Sequence, residues 1–403
     1  MNELLFLAHR IPYPPDKGDK IRSWNFLRHL ARIYRVHLGC FVDEPRDWQF
    51  EGHLRGVCGE CYFADLNVRA ARLRSLSGLS RGLPLTLPYY FDRKLAVWVQ
   101  ELLARRPIAM VFVYCSAMAQ YVMNEFDHRR RSVIDLVDLD SQKWLEYAQQ
   151  CSGMRRWLFK REARLLSDIE YKVAAKFDAT LLATTAEAEQ FARLAPAIQQ
   201  HVYTVRNGVD CEYFSPERHF DNPFPPNRVP IVFTGAMDYR PNVDAIRYFA
   251  SEIFPTIRAR VANAMLVVVG SNPPPQIMGL ADDQHIVVTG RVADVRPYTS
   301  HACVIIAPLR MARGIQNKVL EGMAMAKPVI ASPQAMVGIE AEVGQDLLVA
   351  DNAAGFAKAV CEAVTDGRGR QIGTNARRRV MSDYAWSASV QQLERILVEG
   401  SKA

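Results

Sequence analysis

The stretch "APLRMARGIQNKVLEGMAMAKPVIAS" (307–332) places Arg310, Arg313, Gly314, Lys318 and Glu321 behind a short apolar strand. A helix needed only for packing has no use for a cation in its first turn, where the backbone dipole is already positive. Free N–H groups behind Gly314, with Lys318 beside them, suit an anion such as a phosphate. Glu321 lies three residues beyond Lys318, on the same helical face, and a carboxylate there suits paired hydroxyls such as those of ribose. The bland alternative is a solvated Lys–Glu pair. Small and apolar neighbours in "VLEGMAMA" argue against it, because a half-buried carboxylate needs partners.

Three further loops qualify. In "AHRIPYPPDKGDK", Gly18 stands between Lys17 and Asp19-Lys20 just before a helical segment, so amides and two lysines could meet an anion; a Pro-rich surface loop reads equally well. No GxGxxG is present, so the dinucleotide fingerprint is absent. In "VIDLVDLDSQKW", Asp135 and Asp138 alternate with apolar residues, and Asp140 or Ser141 caps the next helix. Asp138, at the strand end, is the candidate for binding hydroxyls or accepting a proton. In "FTGAMDYRPNVDAI", Gly235 permits close backbone approach and Arg240 is placed to reach a phosphate; an ordinary turn and helix start is the alternative.

Such loops need a scaffold that gathers strand ends. Apolar runs of strand length, "ELLFLA", "VHLGCFV", "AMVFVY" and "ATLLAT", alternate with helix-period segments such as "KIRSWNFLRHLARIY". Continuous rather than alternating apolar runs indicate strands buried on both faces, hence parallel sheets covered by helices. A Pro-, Asn- and Asp-rich stretch interrupts the pattern, and the alternation then restarts with "VPIVFTGA", "AMLVVVG", "HIVVTGRV", "CVIIAPL" and "KPVIAS". Two doubly wound α/β domains are expected, at 1–210 and 229–383, joined by a linker at 211–228. A C-terminal helix over 384–400 is expected to pack back onto the first.

The chain has 403 residues and a net charge of +7, which favours an anionic partner. Nucleic acid is not expected, since aromatic residues near basic runs fall at helix-core spacing. Of eight cysteines only Cys58 and Cys61 are close, with no second pair to complete a zinc site; unpaired thiols in a reducing compartment are expected. "MNELLFLAHRIPYPP" lacks the pattern of a signal peptide, and no apolar run approaches the roughly 18–20 residues of a membrane span. A cytoplasmic protein is expected, with any membrane contact peripheral.

The segment "KVLEGMAMAKPVIA" resembles the donor-binding segment of retaining glycosyltransferases of family 4, which have the GT-B fold: two Rossmann-like domains facing across a cleft. The first-strand loop, "VRNGVDCEYFSP", "FTGAMDYRPN", "TGRVADVRPY" and the terminal "YAW" helix follow in that family's order. "DKGDKIRSWNFLRHLA", "IDLVDLDSQKW" and "RGIQNKVLEGMAMAKPV" together are similar to the subgroup encoded with the exosortase/PEP-CTERM exopolysaccharide system. The resemblance implies a nucleoside-diphosphate sugar held mainly by the second domain and a glycan or polyprenyl-diphosphate-linked saccharide held mainly by the first. Glu321 would then hold the donor ribose, the amides of Gly314 and Ile315 would meet the diphosphate, and Arg240 and Lys318 would add positive charge. Gly235 would line the donor loop, Gly18 would approach donor phosphate and acceptor, and Lys17, Asp138 and Asp140 would serve the acceptor. Relatives often carry Glu-x7-Glu here; Arg313 occupies the first Glu position, beside the transferred sugar, where it would meet phosphate or a carboxylated sugar.

The implied mechanism needs no metal or other cofactor. Arg240, Lys318 and helix amides would stabilise charge developing on the leaving diphosphate, Asp138 would stand on the acceptor side, and attack on the departing face would give retention, with a diphosphate oxygen helping to take the acceptor proton. "DLD" at 138–140 mimics a metal motif but is read as acceptor-side. A lipid-linked acceptor would add an anionic membrane surface at the inner face of the cell membrane as a contact. Two alternatives stay open: a sugar-nucleotide epimerase of the same architecture, which would convert donor alone to an isomer, and a non-catalytic sugar-nucleotide-binding partner subunit.

Overall fold

The computed structural model describes residues 1–125, 130–149, 151–282, 284–312 and 314–399. The chain divides into two compact units, residues 1–206 with 390–403 and residues 207–389.

The first unit is built on seven parallel strands: β1 Glu3–Ala8, β2 Arg35–Val42, β3 Cys61–Asp65, β4 Ile108–Tyr114, β5 Arg131–Val137, β6 Ala179–Leu182 and β7 Val202–Thr204. Their order is β3-β2-β1-β4-β5-β6-β7. β1 is buried along its whole length, as its unbroken apolar run requires. It pairs with β2 from Glu3↔Arg35 to Ala8↔Cys40 and with β4 from Leu4↔Met110 to Ala8↔Tyr114. That register sets Phe6 opposite Phe112, and their rings stack with centroids 5.0 Å apart. Phe26, from the helix Gly18–Ile33, meets Phe112 edge-on at 6.0 Å. The C-terminal residues are tied in by polar contacts: Arg131 donates to the Ile396 carbonyl (2.7 Å), Gln392 to that of Thr204 (2.7 Å), and His29 meets Glu394 (2.9 Å).

The second unit has six parallel strands: β8 Val229–Thr234, β9 Ala264–Val269, β10 Ile286–Gly290, β11 Val304–Ala307, β12 Val329–Ala331 and β13 Leu348–Val349. Their order, β10-β9-β8-β11-β12-β13, repeats the pattern of the first sheet. In each sheet the unit's first strand lies beside its fourth, so the winding direction reverses at β1/β4 and at β8/β11. Ligands of open α/β sheets bind outside the carboxyl ends of strands at that reversal. The Pro-rich stretch 211–228 contributes Phe214 and Phe224 to the second core. Arg377 anchors it by donating to the Phe214 carbonyl (3.1 Å) and to that of Ala324 (2.5 Å).

All eight cysteines are free thiols. Among the described residues no helix is long and apolar enough to cross a membrane.

Candidate donor site at the second winding reversal

β8 ends at Thr234, and the chain turns through Gly235 at φ 153°. A Cβ at Gly235 would fall 2.7 Å from Asn242 Nδ2 and 3.1 Å from Lys318 Nζ. On the other side, a Cβ at Gly270, just past β9, would collide with the Gly235 carbonyl oxygen at 1.7 Å. Both glycines are therefore required by close approach: the space at Gly235 is occupied by polar atoms of Asn242 and Lys318, and that at Gly270 by the Gly235 carbonyl.

The next element, the helix Arg240–Tyr248, begins with Arg240 and Pro241. Pro suits a first turn because its missing N–H is not needed there. Arg240 is exposed, and Asn242 turns inward and is buried. Arg310, in the loop after β11, is engaged by this same helix. Its guanidinium forks onto the Asp244 carboxylate at 2.5 and 2.9 Å and lies over the Tyr248 ring at 4.9 Å. The Ser332 hydroxyl donates to the Leu309 carbonyl at 2.5 Å and pins the start of that loop.

Gly314 adopts φ 60°, Ile315 is buried in the core, and the helix Asn317–Ala324 follows. No described side chain caps its first turn, so amides there keep hydrogen-bonding capacity. Lys318 is almost wholly buried. Its ammonium donates to Asn242 Oδ1 at 2.6 Å and sits 4.1 Å from the centre of the Phe233 ring. Burial lowers its pKa to about 7, with Glu321 pulling the other way. Glu321 is half-buried; burial raises its carboxyl to about 7, with Lys318 opposing. Behind it, a Cβ on Gly322 would come within 3.0 Å of Val329 and 3.1 Å of Ile305, so the helix lies close on the sheet. Gly322 sets the helix–sheet distance, with Lys318 buried and Glu321 half-buried on that helix.

The structure thus brings Gly235 and Lys318 together, with Glu321 as the charge acting on Lys318, and sets Gly314 and Ile315 ahead of the same helix. Arg240 starts the facing helix without an ion pair among the described residues. Arg313 lies outside the described residues. Sequence reasoning missed Asn242; an Asn after Arg-Pro, too far into the helix to be its cap, was the available signal. It also missed Tyr213 and Arg296. Arg296 is held by Asp294 (2.7 Å) and stacks over the Tyr213 ring at 3.8 Å, and Glu321 is among the charges that raise the Tyr213 hydroxyl, after burial and Asp294.

In the first unit, Gly18 opens the helix Gly18–Ile33 and is exposed. The lysines beside it face carboxylates already: Lys17 pairs with Glu44, and Lys20 is fully buried against Asp47 at 2.5 Å. Asp135 is also buried and takes a fork from Arg22 at 2.7 and 3.0 Å. Its carboxyl is raised by burial, with Arg22 opposing, so it has a structural partner. Asp138 is half-buried beyond the end of β5, where Val137 adopts φ 68°. Asp140 starts the helix Asp140–Gln149, 3.9 Å from Lys143 Nζ. Ser141, a capping candidate by sequence, lies inside that helix and donates instead through its amide (3.0 Å) and hydroxyl (2.5 Å) to buried Glu170.

A family model described as "Glycosyl transferases group 1" matches residues 228–366. No curated protein matches the chain. Among solved structures, Anabaena HepE in complex with UDP and glucose is similar at 14% identity, with 99% of this chain and 100% of that one covered and a TM-score of 0.66. Sucrose-phosphate synthase from Thermosynechococcus elongatus gives 16% identity, 99% coverage of each chain and a TM-score of 0.68. WaaG, a glycosyltransferase involved in lipopolysaccharide biosynthesis, gives 15% identity, 98% and 99% coverage and a TM-score of 0.66. At these identities the structural likeness speaks for the fold. The strand ends of the second unit fall within the stretch matched by the glycosyl transferases group 1 model, both units together make a fold of two Rossmann-like domains of the GT-B type, and the chain is a glycosyltransferase.

Proposed function

We propose that this enzyme moves a sugar from a nucleoside-diphosphate sugar to a glycan or polyprenyl-diphosphate-linked saccharide, with retention of configuration, in exopolysaccharide biosynthesis. The observation that carries the donor half is the burial of Lys318, beside Glu321, at the strand ends where the second sheet reverses its winding. A buried lysine whose hydrogen-bond partner is a neutral amide is costly, and a diphosphate would supply a charged one. In this reading Lys318, the amides of Gly314 and Ile315 and the Arg240 guanidinium meet the diphosphate, Glu321 binds the ribose hydroxyls, and Arg313 stands beside the transferred sugar. As the glycosidic bond breaks, negative charge grows on the diphosphate, and fixed cations and amides stabilise it without solvent reorganisation. Asp138, with Gly18, Lys17 and Asp140, is assigned to the acceptor side, although the lysine is already paired.

A lipid-linked acceptor would bring the enzyme to a membrane surface, and exposed residues of the first unit support that reading. Arg161 donates to the carbonyls of Gly78 (2.9 Å) and Leu83 (3.1 Å), joining the start of the helix Gly153–Ala174 to the segment 68–83. Leu73, Leu76, Leu79, Met154 and Trp157 are all exposed there, flanked by exposed Arg72, Arg81, Arg155, Arg156 and Lys160. Exposed Trp and Leu among basic residues suit an anionic interface.

A thermal-shift panel of UDP-, GDP-, ADP- and TDP-sugars tests the donor half. A donor at 100 times its dissociation constant stabilises the fold by about 2.7 kcal/mol; no shift with any of the four would sink the assignment. Transfer should survive EDTA, because protein cations meet the diphosphate. Loss restored by added magnesium or manganese would overturn the metal-free mechanism.

A further inference from the structure

We propose that Asn242 is the positioning residue of the donor site, holding the Lys318 ammonium against the Gly235 turn and away from Glu321, ready for diphosphate. The proposal rests on the donor-site reading above. Asn242 is 6% exposed and its amide is used at both ends. Its oxygen accepts from Lys318 Nζ at 2.6 Å, and its nitrogen donates to the Ala236 carbonyl at 2.8 Å. The orientation is fixed by chemistry, since an ammonium only donates and a carbonyl only accepts. The residue is neutral, so it directs the ammonium without cancelling its charge.

What Asn242 prevents is visible in the neighbours. Lys318 lies between the Phe233 ring on β8, the Gly235 turn, Asn242 on the facing helix, and Glu321 one turn along its own. Glu321 is the charged group that acts on it. Without the Asn242 oxygen, the ammonium's best remaining partner is Glu321. A Lys318–Glu321 ion pair would occupy both groups that the donor needs, one for diphosphate and one for ribose. Gly235 completes the arrangement, because any Cβ there would press on both Asn242 Nδ2 and Lys318 Nζ.

The test is a double-mutant cycle read by calorimetric titration with UDP, GDP, ADP and TDP, using whichever binds the unmodified protein most tightly. Lys318→Met and Asn242→Ala should each weaken binding about tenfold, the scale of a hydrogen bond to a charged group. The double variant should bind no more weakly than Lys318→Met alone, because Asn242 acts through the lysine. Losses that multiply in the double variant, or an Asn242→Ala protein that binds normally while Lys318→Met does not, overturn the proposal and leave the donor site standing. Normal binding by Lys318→Met, or no binding of any of the four by the unmodified protein, overturns the donor-site reading and this proposal with it. Asn242→Asp guards against an alanine variant that fails to fold. A carboxylate at that position should move the pH at which affinity falls to higher values, whereas a purely structural role leaves it in place.

Discussion

Burial shifts Glu321 and Lys318 in opposite directions, and each shift carries its own dependence of stability on pH. Glu321 is raised from 4.5 to about 7, so the folded chain holds an extra proton between those values, and stability from this group falls as pH rises through that window. Lys318 is lowered from 10.5 to about 7, so the folded chain holds fewer protons between about 7 and 10.5, and stability from this group rises across that range. The two slopes meet near neutrality, where the pair destabilises the fold most. A Lys318→Met/Glu321→Gln protein should therefore gain most in melting temperature over the unmodified protein near pH 7. A difference that stays flat from pH 5 to 9 would contradict the assignment. For ligand binding the same carboxylate has the opposite value. If it holds ribose hydroxyls, Glu321→Ala should weaken nucleoside diphosphate and sugar nucleotide alike by about 10- to 100-fold, from the loss of charge-assisted hydrogen bonds of roughly 1.5–3 kcal/mol. Arg313→Ala should spare the free nucleoside diphosphate and reduce turnover or change which sugar is accepted. Equal losses for both ligands would move Arg313 to the phosphate.

At the scale of elements, strands were readable and partners were not. Unbroken runs such as "ELLFLA" and "AMVFVY" announced buried parallel strands because both faces must be apolar. The same sequence flagged Asp135 together with Asp138, since a carboxylate inside a strand asks for an explanation. Its explanation, Arg22, is 113 residues away, and only the sheet order that sets β5 beside β4 and the Gly18 helix over them brings the two together. Lys20 is comparable: beside Gly18 it read as an anion ligand, but it is buried against Asp47. Local spacing shows that a charge is present and leaves its long-range partner unstated, which is also why Asn242 was passed over. The Arg22–Asp135 pair gives this point a measurable form. Arg22 also donates to the Val205 carbonyl at 2.7 Å, tying the Gly18 helix to the end of β7. Arg22→Ala would leave a buried carboxylate uncompensated and should cost about 3–5 kcal/mol in denaturant unfolding, whereas an Arg22→Leu/Asp135→Leu protein should recover most of it. A loss under 1 kcal/mol for the alanine variant would mean that water or another cation replaces the guanidinium.

On the scale of the whole molecule, a net charge of +7 is unevenly used. At the strand ends of the second unit Lys318 is held by Asn242 and Arg310 by Asp244, whereas the first unit sets arginines beside exposed apolar side chains. The structure also separates basic residues that are available from those that are not. Arg74 is spent on the carbonyls of Pro88 and Tyr89 (2.7 Å each) and Arg161 on those of Gly78 and Leu83, so neither counts toward a membrane. Arg155, Arg156 and Lys160 remain exposed beside Met154, at 84% exposure, and Trp157, at 62%. Charges near an anionic leaflet contribute about 1 kcal/mol each and are screened within a Debye length. Replacing Arg155 and Arg156 by Gln should therefore lower partition onto phosphatidylserine-containing vesicles by roughly 30-fold at low salt. Trp157→Ala should instead remove the part of binding that survives high salt, because burial of apolar surface is not screened. Flotation that recovers the protein equally from neutral and anionic vesicles, at either salt, would refute the electrostatic contribution and return these arginines to the status of a solvated face.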